Sequence, residues 1–283
     1  MRFLSLTVLL FAGCTRQIYD FETGDTGAET GNADGDTDSD SDSDTDSDTD
    51  SDSDADGDPN CHPYEPLSYT GWQKQFTVNY KGSSGTEAQQ GYGQFGQDYA
   101  VSTALSAGTN GWNGYTYFDC DNNGAYVLRF EGSYTTDGPH TITATDNPRR
   151  KFLPGPSAVT DANATWPYDY SMDISSSDSG APTGMSVHTV GEYTNFGFED
   201  GIDIAMACPS SASCGSGGKW DNVLWIHNEY TQTPSANVEQ YMPAVTAQQD
   251  AYYAEGFGLI KEVTVDDSGN LIISKELSSA SGF

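Results

Sequence analysis

Positive charge is scarce in this chain of 283 residues. Eleven Lys and Arg stand against 42 Asp and Glu, for a formal net charge of −31. Nucleic acids and anionic lipid surfaces are held through Lys and Arg, so this balance disfavours both as partners. Long apolar runs are also lacking. The longest stretch, Phe3 to Ala12, is broken by Ser5 and Thr7 and falls far short of the ~20 residues a spanning helix needs. Histidine is rare and scattered, at His62, His140, His188 and His227, and no H-E-x-x-H pair forms a zinc site. No G-x-S-x-G elbow is present, so serine hydrolysis lacks its usual frame. Gly215 to Trp220 has glycines and Lys219 but lacks the first glycine and the Ser/Thr of a phosphate loop. Strong helix formers are sparse, and helical periodicity is nearly absent; only Ala244 to Tyr253 has room for a short helical turn.

What is present is organised in three parts: residues 1–13, 14–60 and 61–283. Arg2 and the apolar run after it have the form of a secretory signal. The run ends in Phe11-Ala12-Gly13-Cys14, which resembles the lipobox of bacterial lipoproteins, with Phe11 where Leu is usual. The resemblance implies cleavage after Gly13 and lipid chains such as palmitate on Cys14. Several acyl chains together give stable anchoring. Thr15, being other than Asp, implies sorting to an outer membrane. The expected location is therefore the cell envelope, tethered through an N-terminal lipid.

From Thr15 to Asn60 no core-forming pattern exists. Every even position from Asp34 to Asp58 is Asp, with Ser, Thr, Ala or Gly between. Such a segment cannot bury enough apolar surface to offset ordering entropy and is expected to be a disordered, charge-extended stalk. Its composition is similar to the Ser-Asp stalks of bacterial surface adhesins. Asp54 to Cys61 resembles half of a thrombospondin type 3 calcium repeat, which makes calcium a possible ligand there. Residues 1–60 hold 17 acids and two Arg, leaving 25 acids and nine Lys and Arg for the remainder, or about −16 by simple charge counting.

Residues 61–283 are rich in Gly, Tyr, Thr and Ser, with period-two alternation between turn signals. Phe76, Val78 and Tyr80 alternate with polar residues, as do Leu224, Ile226 and Tyr230. Tyr126, Leu128 and Phe130 are assigned to one face, with Val127 and Arg129 on the other. Leu259–Val265 and Leu271–Glu276 flank Asp266-Asp267-Ser268-Gly269-Asn270, a hairpin signal. Asn147 to Pro156, with three prolines, reads as a crossing loop. The expected fold is all-β: an antiparallel, strongly curved sheet, as a sandwich or a partly open barrel. Four cysteines remain after Cys14, an even count that reads as two disulfides in an exported protein. Cys208 and Cys214 close a short Ser/Gly loop, which leaves Cys61 with Cys120.

A wider resemblance rests on motifs in one order. They are Phe152-Leu153-Pro154-Gly155-Pro156, Trp166-Pro167-Tyr168-Asp169-Tyr170, Val190-Gly191-Glu192, Asn222 to Ile226, and Tyr252 to Lys261. This order is similar to a group of uncharacterised β-rich exported bacterial proteins that end in Y-x-A-x-G-x-G-L-x-K. Cys208 to Gly218 departs from that pattern as a longer loop. The resemblance implies fold and export, and it carries over no functional residue.

Three sets of residues are candidates for chemistry. Asp119, Asp121 and Asn123, followed by Gly124, match the front of a calcium loop, although position 12 is Phe130; the same residues also suit a polar Asn-Gly hairpin turn. Trp112, Trp166 and Tyr168 are candidates for stacking on a sugar, alongside a purely structural role in the sheet. Asp169 with Asp173, and Glu199 with Asp200 and Asp203, are carboxylate pairs of the kind glycosidases use, or ordinary surface acids. The expected function is an exported lipoprotein presenting a non-enzymatic β domain to a partner or envelope component, with no cofactor required. A carbohydrate-binding module or glycosidase is the alternative, so the expected ligand is a protein or a glycan.

Overall fold

The computed structural model describes residues 62–67, 70–135, 139–179, 181–239 and 243–283. The signal-like segment, the lipobox, the acidic stalk with its calcium-like half repeat, and Cys61 lie outside the described residues. Twelve strands follow one another. They are β1 (Thr70–Tyr80), β2 (Ser83–Phe95), β3 (Asp98–Ala107), β4 (Asn110–Asp121), β5 (Gly124–Thr135) and β6 (Pro139–Pro154), then β7 (Thr165–Ser176), β8 (Met185–Glu199), β9 (Val223–Pro234), β10 (Val245–Ala254), β11 (Gly258–Asp266) and β12 (Leu271–Ser281). Each strand pairs antiparallel with the next, and β12 pairs with β1, closing a barrel. The sheet is thus neither a sandwich nor partly open. The closing ladder runs from Gln73 opposite Ser281 to Tyr80 opposite Ile273, which leaves no free sheet edge among the described strands.

Alternation in the sequence becomes inside and outside. On β1, Trp72, Lys74, Phe76, Val78 and Tyr80 are buried while Gln73, Gln75 and Thr77 are exposed. The wall of β1 therefore meets water with its polar side. The β11–β12 hairpin forms as expected, with Asp266 accepting from the backbone of Ser268 and Asn270. Three expectations are corrected. Ala244 to Tyr253 contains no helical turn; residues 245–254 are strand β10, because Ala247, Ala251 and Tyr253 complete the inward face. Asn147 to Pro156 is not a loop throughout, since β6 runs on to Pro154. Pro148 falls where the β5–β6 register shifts, a place where a missing N–H costs no ladder bond. That same shift, between Val127 and Arg129, turns the chain over. Ala125, Val127 and Phe130 all face inward, so the strict alternation assigned to Tyr126–Phe130 fails.

The barrel is filled. Two apolar layers occupy it, one around Phe76, Trp112, Met172, Val187 and Leu277, the other around Trp72, Val101, Phe118, Trp166 and Ile226. On six strands an inward polar group separates a residue of one layer from a residue of the other. Lys74 lies between Trp72 and Phe76, Thr103 between Val101 and Leu105, and Thr116 between Phe118 and Trp112. Asp146 and Arg150 lie between Ala144 and Phe152, Tyr168 between Tyr170 and Trp166, and Thr189 between Val187 and Tyr193. A polar belt thus girdles the interior. Chain covers the mouth at which β1 begins and β8 ends, and Val238 of the β9–β10 connection packs at the opposite one. Tyr64 and Leu67 pack at one layer, and Trp72 Nε1 donates to the Pro66 carbonyl at 2.8 Å. The β8–β9 connection lies at the same end of the barrel, where fully buried Trp220 donates to the Met206 carbonyl at 2.9 Å and Met206 donates its N–H to Leu277. The Cys208–Cys214 disulfide closes this connection. Cys120 is also disulfide-bonded, to a partner outside the described residues.

At the seam of the closure Lys275 of β12 sits between Glu87 of β2 and Glu262 of β11, at 3.2 and 3.4 Å, all three buried. Gln89 also donates to Glu87 at 2.9 Å. Lys74 and Glu65 face the same region. Burial pushes the Glu87 carboxyl up to about 7 against the pull of Lys275. Because the folded value is raised, the stability tied to this proton is present below pH ~4.5 and is lost as pH rises through about 7. Lys275→Met is expected to cost about 3–5 kcal/mol at pH 8, since it strands two buried carboxylates. The cost should be clearly smaller at pH 5, where Glu87 takes up a proton. Urea unfolding at the two pH values checks both the size and the difference.

Candidate functional site

The structure turns the aromatic candidates inward and gathers the acidic turn residues at one corner. Trp112 is 3 % exposed and stacks on Phe130 inside the barrel, with ring centroids 3.9 Å apart. Glycines make room for that stack: a Cβ on Gly114 would lie 2.5 Å from Phe130 Cζ. Trp166 is 9 % exposed and stacks on Tyr193 at 5.5 Å. Tyr168 is half-buried; its hydroxyl donates to Asn228 Oδ1 at 2.9 Å. The three rings expected to present faces to a sugar are therefore interior packing. Burying their apolar area outweighs exposing it on so wide a barrel.

Asp119, Asp121 and Asn123 do come together, at the β4–β5 turn. Asn123 N–H donates to Asp121 Oδ1 at 2.7 Å, and Tyr126 donates its hydroxyl to the same oxygen. The two carboxylates then close on Arg149: Nη1 pairs with Asp119, and Nη2 lies 3.0 Å from Asp121. Lys151 donates to the Asn123 carbonyl at 3.3 Å. A calcium ion there would have to displace Arg149. Among the described residues, no group of three or more His, Cys, Asp and Glu is placed to hold a metal ion. Three of the other candidate carboxylates have partners of their own. Asp169 pairs with exposed His188 at 2.7 Å, Asp200 accepts from Asn222 N–H, and Asp203 lies 3.7 Å from Lys219. Inside the barrel, a cavity of about 30 Å³ lies among Phe152, Tyr193, Gln249, Tyr253 and Glu262. That volume suits roughly one or two water molecules.

A different cluster lies on the outer wall of β8, β9 and β10. Register creates it. Trp225 stands opposite Tyr252, and His227 opposite Asp250. Leu224, Ile226, Ala251 and Tyr253 point inward, so these four point out. Asp250 Oδ1 accepts from Trp225 Nε1 at 2.8 Å and from His227 Nδ1 at 2.8 Å. With Nδ1 so engaged, His227 Nε2 turns the other way, 3.5 Å from Glu229. Phe196 joins from β8. It edges onto Trp225 at 4.7 Å and lies parallel to His227 at 5.2 Å. Trp225 and Tyr252 stack at 5.7 Å.

Phe196 owes its place to a bulge. The β8–β9 register slips between Asn195 and Gly197. Asn195 is fully buried, and its amide donates to the carbonyls of Val159 (2.8 Å) and Asp161 (3.1 Å) while its oxygen accepts from Gly197 N–H at 2.8 Å. Gly197 takes φ +88°, a conformation that glycine reaches at no steric cost. The extra residue, Phe196, is thrown outward and is 42 % exposed. Phe198 beyond it is exposed as well. The sequence contained the outward alternation of Trp225 and His227, but not the pairing that brings Asp250, Tyr252 and Phe196 to them.

The hydrogen bond that His227 donates to Asp250 raises its imidazole above the ordinary value, against the opposing effect of burial. Burial pushes Asp250 up, yet the bonds from His227 and Trp225 outweigh it and hold the carboxyl below the usual range. The stabilisation on the His227 side is full below pH ~6.5 and is lost as pH rises through its raised value; that on the Asp250 side is lost as pH falls through its lowered one. Asp250→Asn should therefore lower the His227 titration. A histidine-resolved NMR titration of the two proteins measures this; an unmoved value would show that Asp250 does not hold the ring.

No protein-family model matches the chain. No curated protein matches it either. Two solved structures are similar to it. A candidate lipoprotein from Parabacteroides distasonis aligns over 76 % of this chain and 96 % of its own, at 10 % identity and a TM-score of 0.42. A candidate exported protein with a YmcC-like fold from Bacteroides fragilis aligns over 76 % of this chain and all of its own, at 7 % identity and a TM-score of 0.42.

Proposed function

We propose that this chain is an exported, lipid-anchored protein that holds a rigid barrel away from a membrane and engages a partner or envelope component by binding, without catalysis. The working surface is the outer wall of β8–β10. The observation that carries this reading is the contrast between lumen and wall. The lumen is packed with side chains around a cavity of about 30 Å³, while the wall presents fixed rings beside a hydrogen-bonded Asp–His pair. Asp250 already accepts two hydrogen bonds, which suits a holding role better than that of a free acid or base. The lipobox at Cys14 and the Asp-rich stalk supply the anchor and the reach.

The full chain carrying Cys14→Ser should pass from the detergent phase to the aqueous phase on temperature-induced partition; retention in detergent would remove the anchor from this reading. The same soluble variant should sediment with isolated cell envelopes. Adding Phe196→Ala and Trp225→Ala should weaken that binding about tenfold or more, as loss of a central aromatic pair does. Thr77→Ala, on the outer face of β1, serves as the control and should leave binding unchanged.

A further inference from the structure

Resting on the reading of β8–β10 as the working face, we infer that its ligand is a neutral polysaccharide, laid across the strands on the row Phe196–Trp225–Tyr252 and hydrogen-bonded through its hydroxyls to Asp250, His227 and Glu229. Four observations converge on this class. The rings form a row at right angles to the strands, one ring per strand, with neighbouring centroids 4.7 and 5.7 Å apart. At ~4.8 Å between strands the row spans about 10 Å, which suits a short run of linked sugars better than a single one. The faces of sugar rings carry C–H groups that pack on aromatic rings, and here Phe196 is 42 % exposed with half-buried Trp225 and Tyr252 beside it.

The polar groups stand beside the row and are held in place. A carboxylate has roughly four acceptor sites. Asp250 spends two on Trp225 and His227, and the rest suit sugar O–H donors. His227 Nε2 and the Glu229 carboxylate lie on the far side of the imidazole, 3.5 Å from each other. Sugar hydroxyls both donate and accept, and this edge provides carboxylate acceptors with an imidazole nitrogen between them.

Charge narrows the class further. The wall belongs to a domain carrying about nine basic and 25 acidic side chains, behind a stalk of 17 acids. Uronate, sulfate or phosphate polymers would be repelled. Lys261, the outward neighbour of Tyr252 on β11, is paired with Glu276 at 3.4 Å. The placement of charge also favours a sugar over a protein. Protein hot spots gather rings at a centre depleted of charge, with the polar groups at the rim. Here Asp250 and His227 are interleaved with the rings themselves. Finally, the bulge pinned by Asn195 fixes Phe196 before any ligand arrives, which lowers the ordering cost of binding.

The soluble full chain (Cys14→Ser) is titrated with cellopentaose, chitopentaose, laminaripentaose and mannopentaose, and with a pentameric uronate, by tryptophan fluorescence and calorimetry; a printed glycan array extends the panel. At least one neutral glycan should bind and the uronate should not. Trp225→Ala and Asp250→Asn should each weaken binding about tenfold. Trp225→Phe keeps a ring and should stay within about threefold, which separates stacking from misfolding. Tyr92→Ala, on the outer face of β2, should have no effect. Silence across all neutral glycans at about 10 mM overturns the ligand class. Should envelope binding then still depend on Trp225, the wall binds a protein and the functional reading stands. Should envelope binding be indifferent to Trp225, the functional reading falls too. Equal binding of uronate would overturn the neutrality argument.

Discussion

Lys275, held between Glu87 and Glu262, is the contact on which the rest of the structure depends. It joins the last strand to β2 and β11 across the seam where the two ends of the described barrel meet. The chain otherwise pairs only with its sequence neighbours, strand after strand. The β1–β12 ladder, with this buried triad beside it, turns that meander into a closed cylinder. The contact is demanding because three ionised groups without water are stable only when each has a partner. Glu87 shows the tension, with burial pushing it up to about 7 even beside a lysine. An open sheet would wet these groups, and an apolar lumen would not hold them.

Closure has a second consequence. Twelve strands enclose more space than one layer of side chains fills, so the interior is built as two apolar layers with a polar belt between them. Trp112 on Phe130 and Trp166 on Tyr193 are part of that filling. The lumen is spent on stability, and recognition is left to the outside. The outward positions of β1 carry Gln and Thr, while rings gather elsewhere on the wall, at Phe196, Trp225 and Tyr252 and, on β2–β4, at Tyr92, Phe95 and Tyr115.

A bulge and local hydrogen bonds place the row of Phe196, Trp225 and Tyr252. Asn195, buried among backbone carbonyls, anchors the bulge that aims Phe196. Asp250 locks both Trp225 and His227 from the neighbouring strand. These two polar side chains belong to different strands, and neither ring system would be fixed without them. At the β4–β5 turn the outcome is different: Arg149 and Lys151, brought across by β6, gather on the acidic turn and make it an ion-paired corner.

The sequence by itself determined the all-β class, the hairpin at Asp266–Asn270, and the pairing of Cys208 with Cys214 within a short loop. These depend on period-two alternation, turn residues and proximity along the chain, all local properties. The lipobox at Cys14 and the acidic stalk are equally local, and they remain expectations of the sequence. Only tertiary structure decided which rings face in. Trp112 and Trp225 each lie in a strand with alternating neighbours, and nothing local tells the lumen side from the water side when both carry aromatics. Bulges decided the rest. One between Val127 and Arg129 turned a predicted face over, and one between Asn195 and Gly197 put Phe196 outside. The partnership of His227 with Asp250, 23 residues apart in sequence, is a matter of register between β9 and β10, and register is fixed by the closed cylinder as a whole.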